Sequence, residues 1–221
     1  MHHTLDIMKI KSFKGGYDDN FSYLIWDETT LDGAIIDPSV SPELIFDFIT
    51  LNNIRLSKIF ITHTHMDHIV YLDDFLDRYP SLSIYAYLNT RQKFEGNFIG
   101  INHNDQISLG NSIFTVLYTP GHYDDCICYW NSQDGIIFTG DTVFVGRSGR
   151  TINSYSSISQ LFDSIYNIIL KLPKETIIYP GHDYGPSPTI TISKNIELSL
   201  FFSAQSEQEF ISIMKNFELN R

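Results

Sequence analysis

The chain has 221 residues, 43% of them apolar, which suits one large domain or two small ones with a well-buried core. A net charge of −11 repels polyphosphate, so no nucleic-acid partner is expected. No apolar run approaches the roughly 18–20 residues of a membrane span, and "MHHTLDIMKI" lacks the apolar stretch and cleavage site of a signal peptide.

Strand-like pieces come first. "LDIMKIKSF", "FSYLIWD" and "GAIIDP" are separated by Gly and Asp turn signals, and the preceding His2 and His3 read as surface residues. "SPELIFDFITLNN" predicts a helix with Ser41 as cap, Pro42 at its first position and apolar residues 44, 45, 48 and 49 at helical spacing. "KIFITH" predicts a buried strand, and "DHIVYLDDFLDRYP" a helix ended before Pro80. "SIYAY", "SIFTVLYTP", "CICYW" and "GIIFTGD" follow as strands, "SSISQLFDSIYNIILKLP" as a long amphipathic helix, and "ETIIYPGH" as a further strand. "SEQEFISIMKNFE" predicts a terminal helix within a short tail over about 190–221. Strands in runs with interspersed helices predict α/β layers around one core, a single domain over 1–221.

The two cysteines, Cys126 and Cys128, fall on one face of a predicted strand, an arrangement unsuited to a disulfide. Free thiols indicate a reducing, cytoplasmic compartment. A C-x-C zinc half-site would need a second pair, which the chain lacks.

The histidines are unevenly placed. "ITHTHMDHIV" crowds His63, His65, Asp67 and His68 between a strand end and a helix. Three more strand ends carry a candidate ligand: His122 in "LYTPGH", Asp141 in "IIFTGD" and His182 in "IIYPGH", each after a turn able to bring backbone close to a site. A lone strand-end histidine is ordinarily a hydrogen-bonded structural residue, and Asp67 alone would also serve as a helix N-cap. Five of the eight histidines beside two acids make the metal reading far stronger than any part of it. A single tetrahedral zinc takes four ligands, so seven suit two ions with one acid bridging them. Nitrogen and oxygen donors accept zinc, iron or manganese, so ligand type does not choose the metal.

"THTHMDH" resembles the H-x-H-x-D-H signature of the metallo-β-lactamase superfamily, with His122, Asp141 and His182 in that family's order. The resemblance implies an αββα sandwich of two mixed sheets flanked by helices, with two divalent ions at one edge. It places one ion on His63, His65 and His122, the other on Asp67, His68 and His182, with Asp141 bridging and Asp67 also holding a metal-bridging hydroxide. "TGDTVFVGRSGRT" and "YPGHDY" resemble segments of glyoxalase II and the persulfide dioxygenases, implying substrate contacts by Arg150 and Tyr184. Arg147-Ser148 stands where those families have Gly-Cys, and the tail after His182 does not resemble the helical domain of glyoxalase II. The expected function is a glyoxalase II-like thioester hydrolase acting on a small anionic thioester, glutathione thioesters included. The rival is a mononuclear iron persulfide dioxygenase using His63, His122 and Asp141. In either case Arg147 and Arg150 are the expected source of positive charge at the site.

Overall fold

In the computed structural model, which describes residues 8–220, the run of predicted strands folds into two mixed sheets of six strands each. The first contains β1 (Met8–Gly15), β2 (Asn20–Asp27), β3 (Asp32–Ile36), β4 (Arg55–Phe60), β5 (Ser83–Tyr87) and β6 (Asn97–Ile101), side by side in that order. The second contains β7 (Gln106–Leu109), β8 (Ser112–Tyr118), β9 (Ile127–Asn131), β10 (Ile136–Gly140), β11 (Ile177–Pro180) and β12 (Ile190–Thr191). Hairpins make β1–β3 and β7–β10 antiparallel, whereas β4, β5 and β6 add in parallel after crossovers, as β11 does beside β10.

Helices cover both outer faces. α1 (Glu43–Leu51), α2 (Met66–Ile69) and α3 (Leu72–Arg78) lie on the first sheet, burying Ile45, Ile49 and Phe75 against Ile59 and Ile84. α4 (Ile158–Asp163), α5 (Ile192–Leu198) and α6 (Glu207–Leu219) cover the second, burying Leu161, Phe210 and Met214 against Cys128, Ile137 and Ile178. The inner faces form the central core, where Phe60 stacks on Tyr129 at 4.8 Å and Phe114 and Phe138 pack beside them. β10 is buried at every position because it is covered on both faces, unlike the alternating pattern of β7. These are the expected αββα layers.

Several boundaries differ from the expectation. The Pro42 carbonyl accepts the first helical bond, from Phe46 N at 2.8 Å, so Pro42 occupies the cap and Ser41 bonds the Glu43 carboxylate instead. The helix predicted over 67–79 is two short helices, α2 and α3, meeting at Val70-Tyr71, where the Tyr71 amide bonds back to the Pro38 carbonyl at 3.0 Å. The helix predicted over 156–173 is α4 capped by Ser157, then a widened π turn (Ser164–Ile168) and a tight 3₁₀ turn (Ile169–Lys171). β6, β7 and β12 were not anticipated. His2, His3 and the start of the first predicted strand lie outside the described residues. Cys126 and Cys128 are free and buried, as expected.

At the end of β2, the Asp27 carboxylate accepts from the backbone N–H groups of Thr29 (2.8 Å), Thr30 (2.7 Å) and Asn111 (2.7 Å), tying the two sheets together. Burial pushes its pKa up, but these donors outweigh that and hold it below the ordinary carboxylate range. A depressed folded pKa contributes stability above the unfolded value of about 3.9, lost as pH falls through the folded value. Asp27→Ala is expected to cost about 2 kcal/mol, lowering Tm at neutral pH by roughly 4–8 °C. The gap from wild type should narrow when melts are repeated below about pH 4.

Candidate metal centre

The seven residues singled out from the sequence meet at one edge, where strands of both sheets end. His63 follows β4 and His65 stands at the cap of α2, with Asp67 and His68 in its single turn. Asp67 is therefore not the cap, and its carboxylate is free to turn toward the cluster. From the second sheet, β8 delivers His122, β10 Asp141 and β11 His182. The sheets are locked together here by Phe21 N–H to Gly181 O (2.8 Å), Ile127 N–H to Thr62 O (2.8 Å) and Tyr23 O–H to Pro180 O (2.7 Å).

Two glycines permit the approach. Gly121, at φ +140°, lies so close to α4 that a Cβ would come within 2.3 Å of Leu161 N, so α4 presses directly on the turn before His122. At Gly181 a Cβ would lie 2.4 Å from Asp141 Oδ1 and 2.7 Å from His68 Cε1. Only a residue without a side chain fits between these two ligand candidates.

The outer ring nitrogens fix how the histidines face inward. His122 Nδ1 lies 2.8 Å from Arg150 O and His182 Nδ1 2.7 Å from Asp18 O, and a carbonyl can only accept, so both Nδ1 atoms carry hydrogen. His68 Nδ1 donates to Asp37 Oδ2 at 2.8 Å. Thr62 donates its hydroxyl to the same carboxylate oxygen at 2.6 Å, so its Oγ1 accepts from His63 Nδ1 at 3.2 Å. All four rings thus turn Nε2 toward the centre, while His65 turns Nδ1, its Nε2 lying 3.3 Å from the Asn153 amide.

Three candidate groups result: His63, His65 and His122; His63, His68 and Asp141; and Asp67, His68 and His182, with ligand atoms in each within 4.8 Å of one another. His63 Nε2 and His122 Nε2 each lie 3.0 Å from His65 Nδ1. One proton on His65 cannot serve both lone pairs, whereas a cation can. Asp141 Oδ2 reaches His122 Nε2 at 3.5 Å and His182 Nε2 at 3.4 Å, and its Oδ1 approaches His68 Nε2 at 3.2 Å. That Oδ1 is buried without an aligned hydrogen bond, as expected of a group reserved for an ion.

The electrostatics agree. Burial holds His63 well below the usual imidazole range, His122 below it, and His65, aided by His122, at about 4, so all three are neutral donors at pH 7. Burial also pushes His68 down, but Asp141 and Asp37 carry it well above the usual range; Asp141 likewise raises His182 against its burial. Burial pushes Asp141 up, yet His182 and His68 hold it well below the ordinary value. A bound cation would take the place of those two imidazole protons beside the carboxylates. The donor set fits a metal site with room for two ions.

Other supports had not been singled out from the sequence. Asp37 follows β3 as Asp141 follows β10, and holds Thr62 N (2.8 Å), the Thr62 hydroxyl and His68. The signal was present in "GAIID", an apolar strand ending in an acid like "IIFTGD", but Asp-Pro reads first as a turn. Asn20 donates to Asp67 Oδ2 at 2.9 Å, and Asp125 accepts from Thr64 between the first two histidines.

The centre opens into a cleft of ≈1020 Å³ lined by residues including Lys14, Asp18, Arg150 and Tyr184. The Tyr184 ring stacks on His182 at 4.7 Å with 1° between planes, and its hydroxyl donates to Asp18. Arg147 does not line the cleft; its guanidinium sits 3.6 Å over the Tyr184 ring and also faces Phe144 and Phe217. The expectation that Arg147 charges the mouth is therefore corrected: aromatic packing claims it. Lys14 is tied to Asp183 (2.8 Å) and Asp19 (3.2 Å), which leaves Arg150 as the better placed cation.

An αββα fold with a histidine–aspartate metal site at its strand ends points to a metal-dependent enzyme. Residues 15–182 match the metallo-beta-lactamase superfamily, and the chain belongs to it. It is 29% identical to a hydroxyacylglutathione hydrolase of Francisella tularensis subsp. novicida, over 91% of this chain and 90% of that one. The crystal structure of ETHE1 from Myxococcus xanthus is similar over 95% of this chain and 91% of that one, with a TM-score of 0.83 and 31% identity. A metallo-beta-lactamase structure from Staphylococcus aureus gives 0.81 and 27%, over 95% and 66%. Among the described residues, no helix is long and apolar enough to cross a membrane.

Proposed function

We propose that the chain is a single-domain, metal-dependent thioester hydrolase. The observation that carries this reading is the convergence of seven donors, five of them lining one cleft, in a chain similar over nine-tenths of its length to a hydroxyacylglutathione hydrolase. His63, His65 and His122 would hold one ion, Asp67, His68 and His182 the other, and Asp141 would bridge, with zinc as the expected metal. When bound, such ions polarise a carbonyl and acidify water to near neutral pH. Asp67, half-buried and held by Asn20, can orient that water and take its proton from the cleft side. Arg150 would grip a carboxylate of the thiol, and the Tyr184 ring would flank it while keeping His182 in place. The buried thiols Cys126 and Cys128 support a cytoplasmic setting.

Arg150→Ala leaves the backbone carbonyl that orients His122, so metal content should not change. Losing a bidentate carboxylate contact costs about 1.5–3 kcal/mol, a roughly tenfold to hundredfold fall in kcat/KM on S-lactoylglutathione. A neutral thioester should be turned over as before. Equal loss on both substrates would assign Arg150 to the loop rather than the ligand.

The persulfide dioxygenase reading draws support from the 3.5 Å approach of His122 to Asp141 and from His63, which groups with each of them; the three would serve one iron. Elemental analysis of protein purified without added metal, with oxygen uptake on glutathione persulfide set beside thioester hydrolysis, separates the two. Oxygen uptake by a one-iron protein inert to thioesters would overturn the hydrolase.

A further inference from the structure

Five of the twelve large apolar side chains exposed among the described residues line the one cleft that holds the metal centre: Tyr17, Leu44, Met66, Val70 and Ile152. They are between 51% and 95% exposed and come from four separate segments. Tyr17 tops the β1–β2 turn, Leu44 projects from the first turn of α1, Met66 opens α2 and Val70 follows it, and Ile152 sits in the loop after Arg150. Apolar side chains scattered singly over a surface need no explanation, but a contiguous group around a site marks what the site covers. α1 does not need Leu44 for its own packing, because it faces the core with Ile45 and Ile49.

We infer that the cleft takes a thioester whose acyl group is an apolar chain, seated on Leu44, Met66, Val70 and Ile152. This rests on the hydrolase reading and adds to it the acyl class. In the reaction, the C–S bond breaks, water supplies the new C–O bond, and the products are a carboxylate, a thiol and one proton. The apolar chain accounts for the wall; Arg150 remains for the thiol. A small polar acyl group such as lactoyl would leave the wall uncovered.

The test is a series of S-acylglutathiones, acetyl, butyryl, hexanoyl and octanoyl, on the metal-loaded protein. Burying a methylene is worth about 0.8 kcal/mol, so kcat/KM should rise roughly three- to fourfold per methylene until the wall is covered. The double variant Leu44→Ser/Ile152→Ser should flatten the series, its loss relative to wild type growing from acetyl to octanoyl while metal content stays the same. Calorimetric binding of the product carboxylates, acetate to octanoate, reads the wall without catalysis and should show the same dependence, lost in the variant. Chain-length-dependent binding in a protein that cleaves no thioester would sink the hydrolase reading and leave the apolar wall standing. A flat series in wild type, or an undiminished slope in the double variant, would overturn the proposal. So would binding to phosphatidylcholine vesicles that the variant loses while both acyl series stay flat, which would make the rim a membrane contact.

Discussion

Asp141→Ala is expected to lose both metal ions and to cut turnover about a thousandfold. Its carboxylate approaches nitrogens of His68, His122 and His182 at 3.2–3.5 Å, so it reaches histidines of all three candidate groups, whereas His65, His122 and His182 each belong to one. Loss of metal polarisation removes several kcal/mol of transition-state stabilisation, and ~4 kcal/mol is about three decades in rate. His182→Ala touches only the group with Asp67 and His68, so it should retain about one ion and a larger share of activity. Elemental analysis of both variants, equilibrated with the same metal buffer, gives the comparison. Two ions and near-normal turnover in Asp141→Ala would show that the carboxylate does not bridge.

The centre was legible because each donor follows an apolar strand and a short turn, and such strand ends share one edge when the strands share sheets. The outer layer of the site was less so. Asp37 acts through φ +50° backbone and partners in two other segments, and nothing local in "IIDPS" distinguishes that from a turn acid. Arg147 looked like substrate charge because it lies near Arg150 in sequence; which of the two faces the cleft depends on Phe217, some 70 residues on, and on Tyr184. β6 and β7 are four- or five-residue strands carrying Gly, Asn, Gln or Ser, and their place comes from pairing with β5 and β8 rather than from their own propensity. The helix predicted over 67–79 has the right apolar spacing, yet a backbone bond from Tyr71 to Pro38 interrupts it. Periodicity cannot register such a tertiary bond.

Asp37→Asn tests whether the outer layer governs the inner one. Asn tolerates the left-handed backbone at this position, so the substitution changes hydrogen bonding and little else. Asp37 receives three donors: Thr62 N–H on Oδ1, and the Thr62 hydroxyl and His68 Nδ1–H on Oδ2. An amide has one accepting oxygen. If its NH₂ group replaces Oδ1, it meets the Thr62 N–H, donor against donor. If it replaces Oδ2, it meets His68 Nδ1, and the imidazole relieves the clash only by moving its proton to Nε2, which removes the lone pair facing the centre. The second arrangement weakens the His68 side of the site directly, and the first does so by pushing the side chain away from Thr62 and with it the oxygen that His68 bonds. Changes in such outer partners typically cost 10–100-fold in metal affinity, and that is the expected loss in chelator-competition titrations. An unsatisfied buried donor also costs about 2 kcal/mol, so the metal-free variant should melt roughly 4–8 °C below metal-free wild type. Comparing the metal-free proteins isolates the folding effect, and the titration then reads the ligand effect alone. Affinity within twofold of wild type would mean that His68 keeps its tautomer without Asp37 and that the carboxylate serves only the fold.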